Sequence, residues 1–355
     1  MRKIKLLGFG LPAIVILGLL AVLATPAGAK APTQFDDPVE QGKYLTTIAG
    51  CVDCHTPRDE NFLPLKNLEF SGGQPFELGP LGTVFSKNLT SDKETGLGDW
   101  TDEEIKTAFQ TGVSKDGLHL FPLMPYRFFN SLSDSDADAI VAYLRTLPPI
   151  SNKVPRKQIL PVEAVPQLPR KTGIVAPDPS DTAARGKYLM TALIACTDCH
   201  TPVDPATGQP IADKYLAGGQ PFEGPWGIVY GGNITNDKET GLGNWSDAEI
   251  ARVLHQGIRP DRRVVILMPW EIFQPLTDED TKAIIYYLRN DIPAVHNEVP
   301  AAKLNEGFEN FAPPEKVNLF TPLNIAIAVV AVLIIVGGLA FWLRMRKPPS
   351  SAGSS

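Results

Sequence analysis

Cysteine is scarce in this chain. Its 355 residues hold four, Cys51, Cys54, Cys196 and Cys199, in two close pairs with none left over. A framework of long-range disulfides is thereby excluded, and cysteine here serves chemistry rather than stapling. Basic charge is also in short supply. The formal net charge is −6, and six of the cations (Arg2, Lys3, Lys5, Arg344, Arg346, Lys347) lie in terminal segments without an acid; removing those six leaves the body at −12. An acid excess of that size argues against nucleic acid and for partners with basic docking faces. Polar side chains are missing from the 19 residues Ile325 to Leu343, and a run with no polar face is poorly explained as a core helix. What remains, at 43% hydrophobic and 20% charged overall, is the composition of a globular protein with room for two domains.

Residues 1–29 combine a basic start, an apolar run from Leu6 to Ala24 and the small-x-small sequence Ala27-Gly28-Ala29. This pattern is expected of a secretory signal peptide, with an uncleaved anchor as the alternative because the run is 19 residues long. No cysteine lies near the cleavage site, so a lipoprotein anchor is not indicated. At the other end, residues 320–343 are expected to form a transmembrane helix in contact with membrane lipid. The cations Arg344, Arg346 and Lys347 then place the tail, 344–355, in the cytoplasm. The body is expected on the periplasmic face of the cytoplasmic (inner) membrane, held by a single pass.

The body is a duplication. Gly42-Lys43-Tyr44-Leu45 returns as Gly186-Lys187-Tyr188-Leu189, the run from Gly72 to Glu77 returns from Gly218 to Glu223, and Asn88 to Trp100 returns as Asn233 to Trp245. A period of about 145 residues is too long for a solenoid and suggests two independent modules, over 38–150 and 182–293. The proline-rich stretch 151–181 reads as a linker, and 294–319 as a semi-rigid spacer leading to the membrane. Within each module the expectation is all-α with long loops. Thr101-x-x-Glu104 and Ser246-x-x-Glu249 resemble capping boxes for a middle helix, as do Ser133-x-x-Asp136 and Thr277-x-x-Asp280 for a last one. The stretch from Gly72 to Gly98 shows no strand alternation and reads as loop.

Cys51-Val52-Asp53-Cys54-His55 and Cys196-Thr197-Asp198-Cys199-His200 are both C-x-x-C-H, the attachment signature of c-type haem. Two thiols on one helical turn can form thioethers with the two haem vinyl groups, and the next residue brings an imidazole beneath the iron. His55 and His200 are therefore the expected proximal ligands of two covalently bound haem c groups. A zinc site would want more thiolates than one pair and one histidine per module supply, and a thioredoxin-type pair would not need the histidine. Of the five methionines, Met124 and Met268 alone occupy matched positions, in Leu-Met-Pro blocks 69 and 68 residues after their histidines. They are the expected distal ligands. Met190 reads as core. His119, His255 and His296 are rival distal ligands without counterparts in the other copy, His119 the foremost of them. Pro57 and Pro202 mark a turn in which a backbone carbonyl could accept the proximal imidazole N–H, and Trp100 and Trp245 are candidates either for the haem edge or for core packing.

At these residues both modules resemble class I cytochrome c domains. The blocks Asn88-Leu89-Thr90, Gly96 to Trp100, Met124-Pro125-Tyr126 and Ala142-Tyr143-Leu144 are similar to the cytochrome subunits of membrane-bound alcohol and gluconate dehydrogenases. Those subunits typically carry three haem motifs where this chain carries two. The resemblance implies two tandem class I cytochrome c domains, carrying electrons and not catalysing, and the C-terminal transmembrane helix expected from the apolar run is a second departure from those subunits. Electrons are expected to pass from a quinol-oxidising complex or dehydrogenase in the membrane to a soluble cytochrome or terminal oxidase. Two other readings are the cytochrome subunit of an oligomeric dehydrogenase and a dihaem peroxidase. A methionine in both modules speaks against the last.

Overall fold

The longer helices begin where the sequence supplies an acceptor for their open N–H groups. The computed structural model describes residues 35–60, 63–156, 160–161 and 168–308. In it, α1 (Pro38–Ile48) opens on Asp37, which accepts from Val39 N at 2.9 Å, with proline at the first helical position. The short α2 (Cys51–His55) carries the first haem motif. α3 (Asp102–Thr111) has the full capping box, Glu104 N to Thr101 Oγ1 at 3.2 Å and Thr101 N to the Glu104 carboxylate at 2.7 Å. α4 (Tyr126–Phe129) and α5 (Asp134–Thr146) complete module one. Module two repeats the order with α6 (Thr182–Tyr188), α7 (Cys196–His200), α8 (Asp247–Gln256), α9 (Trp270–Phe273) and α10 (Asp278–Asn290).

Within each module the first helix crosses the last. The crossing point is the glycine of the repeated Gly-Lys-Tyr-Leu block. A Cβ at Gly42 would lie 1.8 Å from the Ala139 carbonyl oxygen of α5, and one at Gly186 2.0 Å from that of Ala283 in α10. Only a residue without a side chain lets the two backbones approach so closely. Module two has one residue more between this glycine and its first motif cysteine. A π-helical turn, Leu189–Leu193, absorbs it, and Ala195 in the left-handed region (φ 56°) stands where module one has Gly50 (φ 73°).

Three expectations are corrected by the fold. The modules are not independent, because the buried apolar residues form one cluster that joins Leu45, Ile48 and Ile140 to Leu189, Met190 and Ile284. The seam is also polar. Tyr44 Oη donates to Asp280 at 2.6 Å and Tyr188 Oη to Asp136 at 2.6 Å across it, and within module two Arg185 pairs with the same Asp280 at 2.8 Å. These contacts explain why α5 and α10 lack the full capping box. Ser133 and Thr277 each cap the N3 amide at 3.1 Å, while the N3 acids turn to the other module.

Second, the fold is helical but not all-α. Short hairpins, β1 (Pro75–Glu77) with β2 (Thr83–Phe85) and β3 (Pro221–Gly224) with β4 (Gly227–Tyr230), lie in the stretch read as loop. Three- and four-residue strands are too short for alternation to register. Third, the described parts of the proline-rich stretches are docked against the modules. Asn152 Nδ2 donates to Ser71 O and Gly72 O at 3.1 Å, and Asn130 holds Pro169 O at 3.1 Å. Beyond module two, Asn297 Nδ2 bonds Ala217 O at 3.0 Å, and β5 (Lys303–Leu304) pairs with β4, so the part of the spacer within the described residues belongs to the module. Residues 1–29 and 320–343, expected to be signal peptide and membrane helix, lie outside the described residues. Among the described residues no helix is long and apolar enough to cross a membrane.

Candidate haem site

The two motif helices hold their histidines in one way. His55 Nδ1 lies 2.7 Å from the carbonyl oxygen of Lys87, and His200 Nδ1 lies 2.7 Å from that of Gly232. A carbonyl can only accept, so each ring carries its proton on Nδ1 and leaves the Nε2 lone pair for a ligand. Burial holds both imidazoles below their ordinary pKa range, which keeps that lone pair unprotonated. The acceptors are therefore Lys87 and Gly232, not the turns at Pro57 and Pro202, whose carbonyls receive Leu65 N and Ile211 N, both at 2.9 Å.

Glycine makes this approach possible. Gly72 N donates to His55 O at 2.8 Å and Gly218 N to His200 O at 2.7 Å, and both glycines have positive φ (71° and 74°). A Cβ on either would sit 2.4 Å from the carbonyl carbon of Lys87 or Gly232. The Gly-Gly-Gln-Pro-Phe repeat thus fixes the carbonyl that fixes the histidine.

Cys54 and His55 form one wall of an apolar cavity in module one, and Met124 lies on the same cavity with Phe76 and Phe85 of the hairpin, Leu118 and His119. Module two repeats the methionine turn, with Trp270 N bonded to Met268 O at 2.8 Å as Tyr126 N is to Met124 O at 2.8 Å. Met268 is partly buried against the shared core. No disulfide joins Cys51, Cys54, Cys196 and Cys199. Burial pushes the thiols of Cys51 and Cys196 up to about 12, opposite to the lowered pKa of a redox-active thiol pair. Among the described residues no group of three or more His, Cys, Asp or Glu side chains is disposed to hold a metal ion. An apolar cavity, two thiols on one turn and an imidazole with its free nitrogen available are the donor set of a covalently attached haem, and the residues fit it.

The other candidates fall apart spatially. Both ring nitrogens of His255 are engaged, by Gln274 O and Thr281 Oγ1 at 2.9 Å each, and His296 lies 3.4 Å from Asp237 at the surface. Met190 is 1% exposed in the core. Trp100 and Trp245 pack half-buried against the core, each with a cation 5.6 Å from its ring centroid, Lys115 and Arg259 respectively. Sequence reasoning missed Lys87 and Arg127. Lys87 has its Nζ on Pro155 O at 2.8 Å and is pushed down to about 8 by burial and by Arg156. Arg127, three residues past Met124, pairs with Asp198 inside the second haem motif. No signal in one copy pointed to either, since their counterparts are Gly232 and Glu271.

Residues 39–148 match the Cytochrome c family, and over that span the chain is a cytochrome c domain. It is 33% identical over 285 residues to the fructose dehydrogenase cytochrome subunit of Gluconobacter japonicus, covering 76% of this chain and 54% of that one. To the gluconate 2-dehydrogenase cytochrome c subunit of Pantoea cypripedii it is 31% identical over 303 residues, 78% of this chain and 64% of the other. A diheme cytochrome c-type of Cereibacter sphaeroides is 29% identical over 306 residues, 81% of this chain and 97% of its own length. The chain thus spans 54% and 64% of the first two relatives.

Proposed function

We propose that this chain is the electron-carrying subunit of a membrane-bound dehydrogenase, with one haem c on Cys51 and Cys54 and a second on Cys196 and Cys199. His55 and His200 are the proximal ligands, Met124 and Met268 the distal ones. The haem iron supplies a one-electron couple, and the protein sets its potential through ligation and burial. The observation that carries the reading is the repetition of one device, a motif histidine with Nδ1 locked at 2.7 Å on a carbonyl, in both modules. The dehydrogenase partner rests on the names of the relatives, which are cytochrome subunits of fructose and gluconate dehydrogenases.

Each residue has a separate task. The carbonyls of Lys87 and Gly232 orient the imidazoles, the glycine repeats hold those carbonyls, and the methionine turns close the opposite side. Apolar walls exclude water and favour the less charged, reduced state. The apolar segment 320–343 anchors the body on the outer face of the cytoplasmic membrane, beside a catalytic subunit that delivers electrons. The acceptor is a quinone, a soluble cytochrome or an oxidase.

Detergent extraction followed by mass spectrometry of the copurifying proteins tests this. A dehydrogenase subunit recovered in stoichiometric amount is the expected result. A chain that elutes alone and is reduced by a quinol-oxidising complex would favour the second reading, a self-standing respiratory dihaem relay, which the likeness to the diheme cytochrome over 97% of its length supports.

A further inference from the structure

The methionine turn of each module rests on the other module. The helix that follows Met124, α4, packs against the π-helical turn Leu189–Leu193 that leads into the second haem motif, and α9, which follows Met268, packs against α1. The contacts are close. A Cβ at Gly50, the residue before Cys51, would lie 3.0 Å from Ile272 Cδ1 in α9.

Both motifs carry an acid at the same position, Asp53 and Asp198, immediately before the second cysteine and two residues before the histidine. Each acid is met by an arginine, but from a different source. Asp53 pairs with Arg58, five residues along its own module. Module two has Val203 at the position of Arg58, and its motif acid pairs instead with Arg127 of module one. The exchange is not reciprocal, because the counterpart of Arg127 is Glu271. One motif is thus neutralised locally and the other from across the seam.

Stability does not account for the second pair. Arg127 and Asp198 are each about half exposed, and an ion pair so placed adds little to folding. Its position in the chain is more telling. Arg127 lies three residues past Met124, and between them Tyr126, 2% exposed, is held at both ends, its N–H on Met124 O and its carbonyl on Asn130 N, each at 2.8 Å. The Tyr126 ring fills the space at Gly112, where a Cβ would lie 2.7 Å from it, and the Arg127 guanidinium lies 5.0 Å from the centroid of the Phe128 ring. Met124 and Arg127 are therefore carried on one anchored turn. Asp198 is carried with Cys196, Cys199 and His200 on the five-residue α7, so the ion pair joins the turn that presents one distal ligand to the helix that attaches the other haem.

We propose that Arg127 is a positioning residue that couples the two haem sites, neutralising Asp198 beside haem two while Met124 is seated on haem one. A carboxylate beside a haem favours the ferric state, which carries one more positive charge, and a paired guanidinium offsets it. Haem two therefore takes an electron more readily when haem one is fully ligated. Coupling is reciprocal, so reduction of haem two also strengthens the seating of Met124. Haem one, whose motif acid is neutralised by Arg58, has no such dependence on Met268. The inference rests on the haem and methionine reading above, which intact mass and the near-infrared band test separately.

Spectroelectrochemical titration of the full chain with both haems gives two midpoint potentials, and Cys196→Ala with Cys199→Ala, which removes haem two, shows which belongs to haem one. Arg127→Gln is expected to lower the midpoint of haem two more than that of haem one, and Arg58→Gln to do the opposite. Arg127→Lys should retain most of the native value. Adding Val203→Arg to Arg127→Gln supplies the guanidinium locally, as Arg58 does in module one, and should restore the haem-two midpoint. The coupling itself is read from Met124→Ala, which should lower the haem-two midpoint in the otherwise native chain and leave it unmoved in the chain with Arg127→Gln and Val203→Arg. Met268→Ala should leave haem one unmoved. An unchanged haem-two midpoint in Arg127→Gln would overturn the proposal. So would a Met124→Ala effect of the same size with and without Arg127, which would mark a direct influence of one haem on the other, or a loss that Val203→Arg fails to restore.

Discussion

Tyr188 Oη donates to Asp136 at 2.6 Å and accepts from Ser133 N at 3.0 Å, so a tyrosine of module two completes the N-terminal cap of the last helix in module one. The reciprocal contact joins Tyr44 to Asp280 and, at 3.4 Å, to Thr277 N. In an ordinary capping box the third-residue acid would return to the cap N–H. Here that acid is exchanged across the seam, and the partner's phenol takes over its second bond. Tyr188→Phe leaves a buried carboxylate and an amide short of a partner, and is expected to cost about 1–3 kcal/mol. Chemical denaturation followed by the haem absorbance measures it, and Tyr44→Phe should behave alike. An unchanged midpoint in both variants would remove the seam from the account of stability.

The same tyrosines set a response to alkali. Burial, and next the facing carboxylate, push both phenols above their ordinary pKa of 10.0. The folded state thus binds these protons more tightly than the unfolded one. The stability they contribute is fully present below about pH 10 and falls as the pH rises through the raised folded-state values. Denaturation midpoints should hold steady from neutrality to about pH 9 and then decline. The decline should be shallower in the Tyr44→Phe, Tyr188→Phe double variant.

Crowding at the helix crossing gives a third expectation. Gly186→Ala would put a methyl 2.0 Å from the Ala283 carbonyl, where backbone faces backbone and nothing can rotate away. A loss of about 1–3 kcal/mol or more is expected, read as a lower thermal midpoint. Gly208→Ala is the control. Its φ is 67°, yet a Cβ there meets nothing within 4 Å, so it reports backbone strain without the clash.

Removing one haem should be felt by both modules. Cys196→Ala with Cys199→Ala is expected to reduce the intact mass by one haem, and because Leu189, Met190 and Ile284 share a core with Leu45 and Ile48, the remaining module should also melt earlier. Independent modules would leave its midpoint unmoved.

Ligation can be read optically. With Met124 and Met268 as sixth ligands, the ferric protein should show a thioether charge-transfer band in the near infrared and the ferrous protein should not bind carbon monoxide. Met124→Ala or Met268→Ala should each open one haem. Carbon monoxide uptake by the unmodified protein would reopen the peroxidase reading and make His119, on the same cavity, the next ligand to test.

The haem motifs and the methionine turns were legible because their chemistry is local, a few residues at fixed spacing, and because duplication marked Met124 and Met268 out from Met190. Helix starts were legible for the same reason. Partners chosen across the chain were not. The carbonyl that orients His55 lies 32 residues away, on Lys87, and a carbonyl has no residue type by which to find it. The seam was hidden more deeply, since Tyr44 and Tyr188 recur in the repeat as any core aromatic would, and nothing in one copy says that its aspartate belongs to the other tyrosine. The hairpins escaped because three residues are too few to show a period. The extra residue before Cys196 could have been counted, but not its absorption in a π-turn.

That additional residue has a consequence for descent. With one residue more in the second copy, Ala195 occupies a backbone conformation that Gly50 holds in the first, and the segments leading into the two haem motifs are not interchangeable. Recombination between the copies, which ordinarily keeps tandem duplicates alike, would now splice a segment of the wrong length beside a haem attachment site.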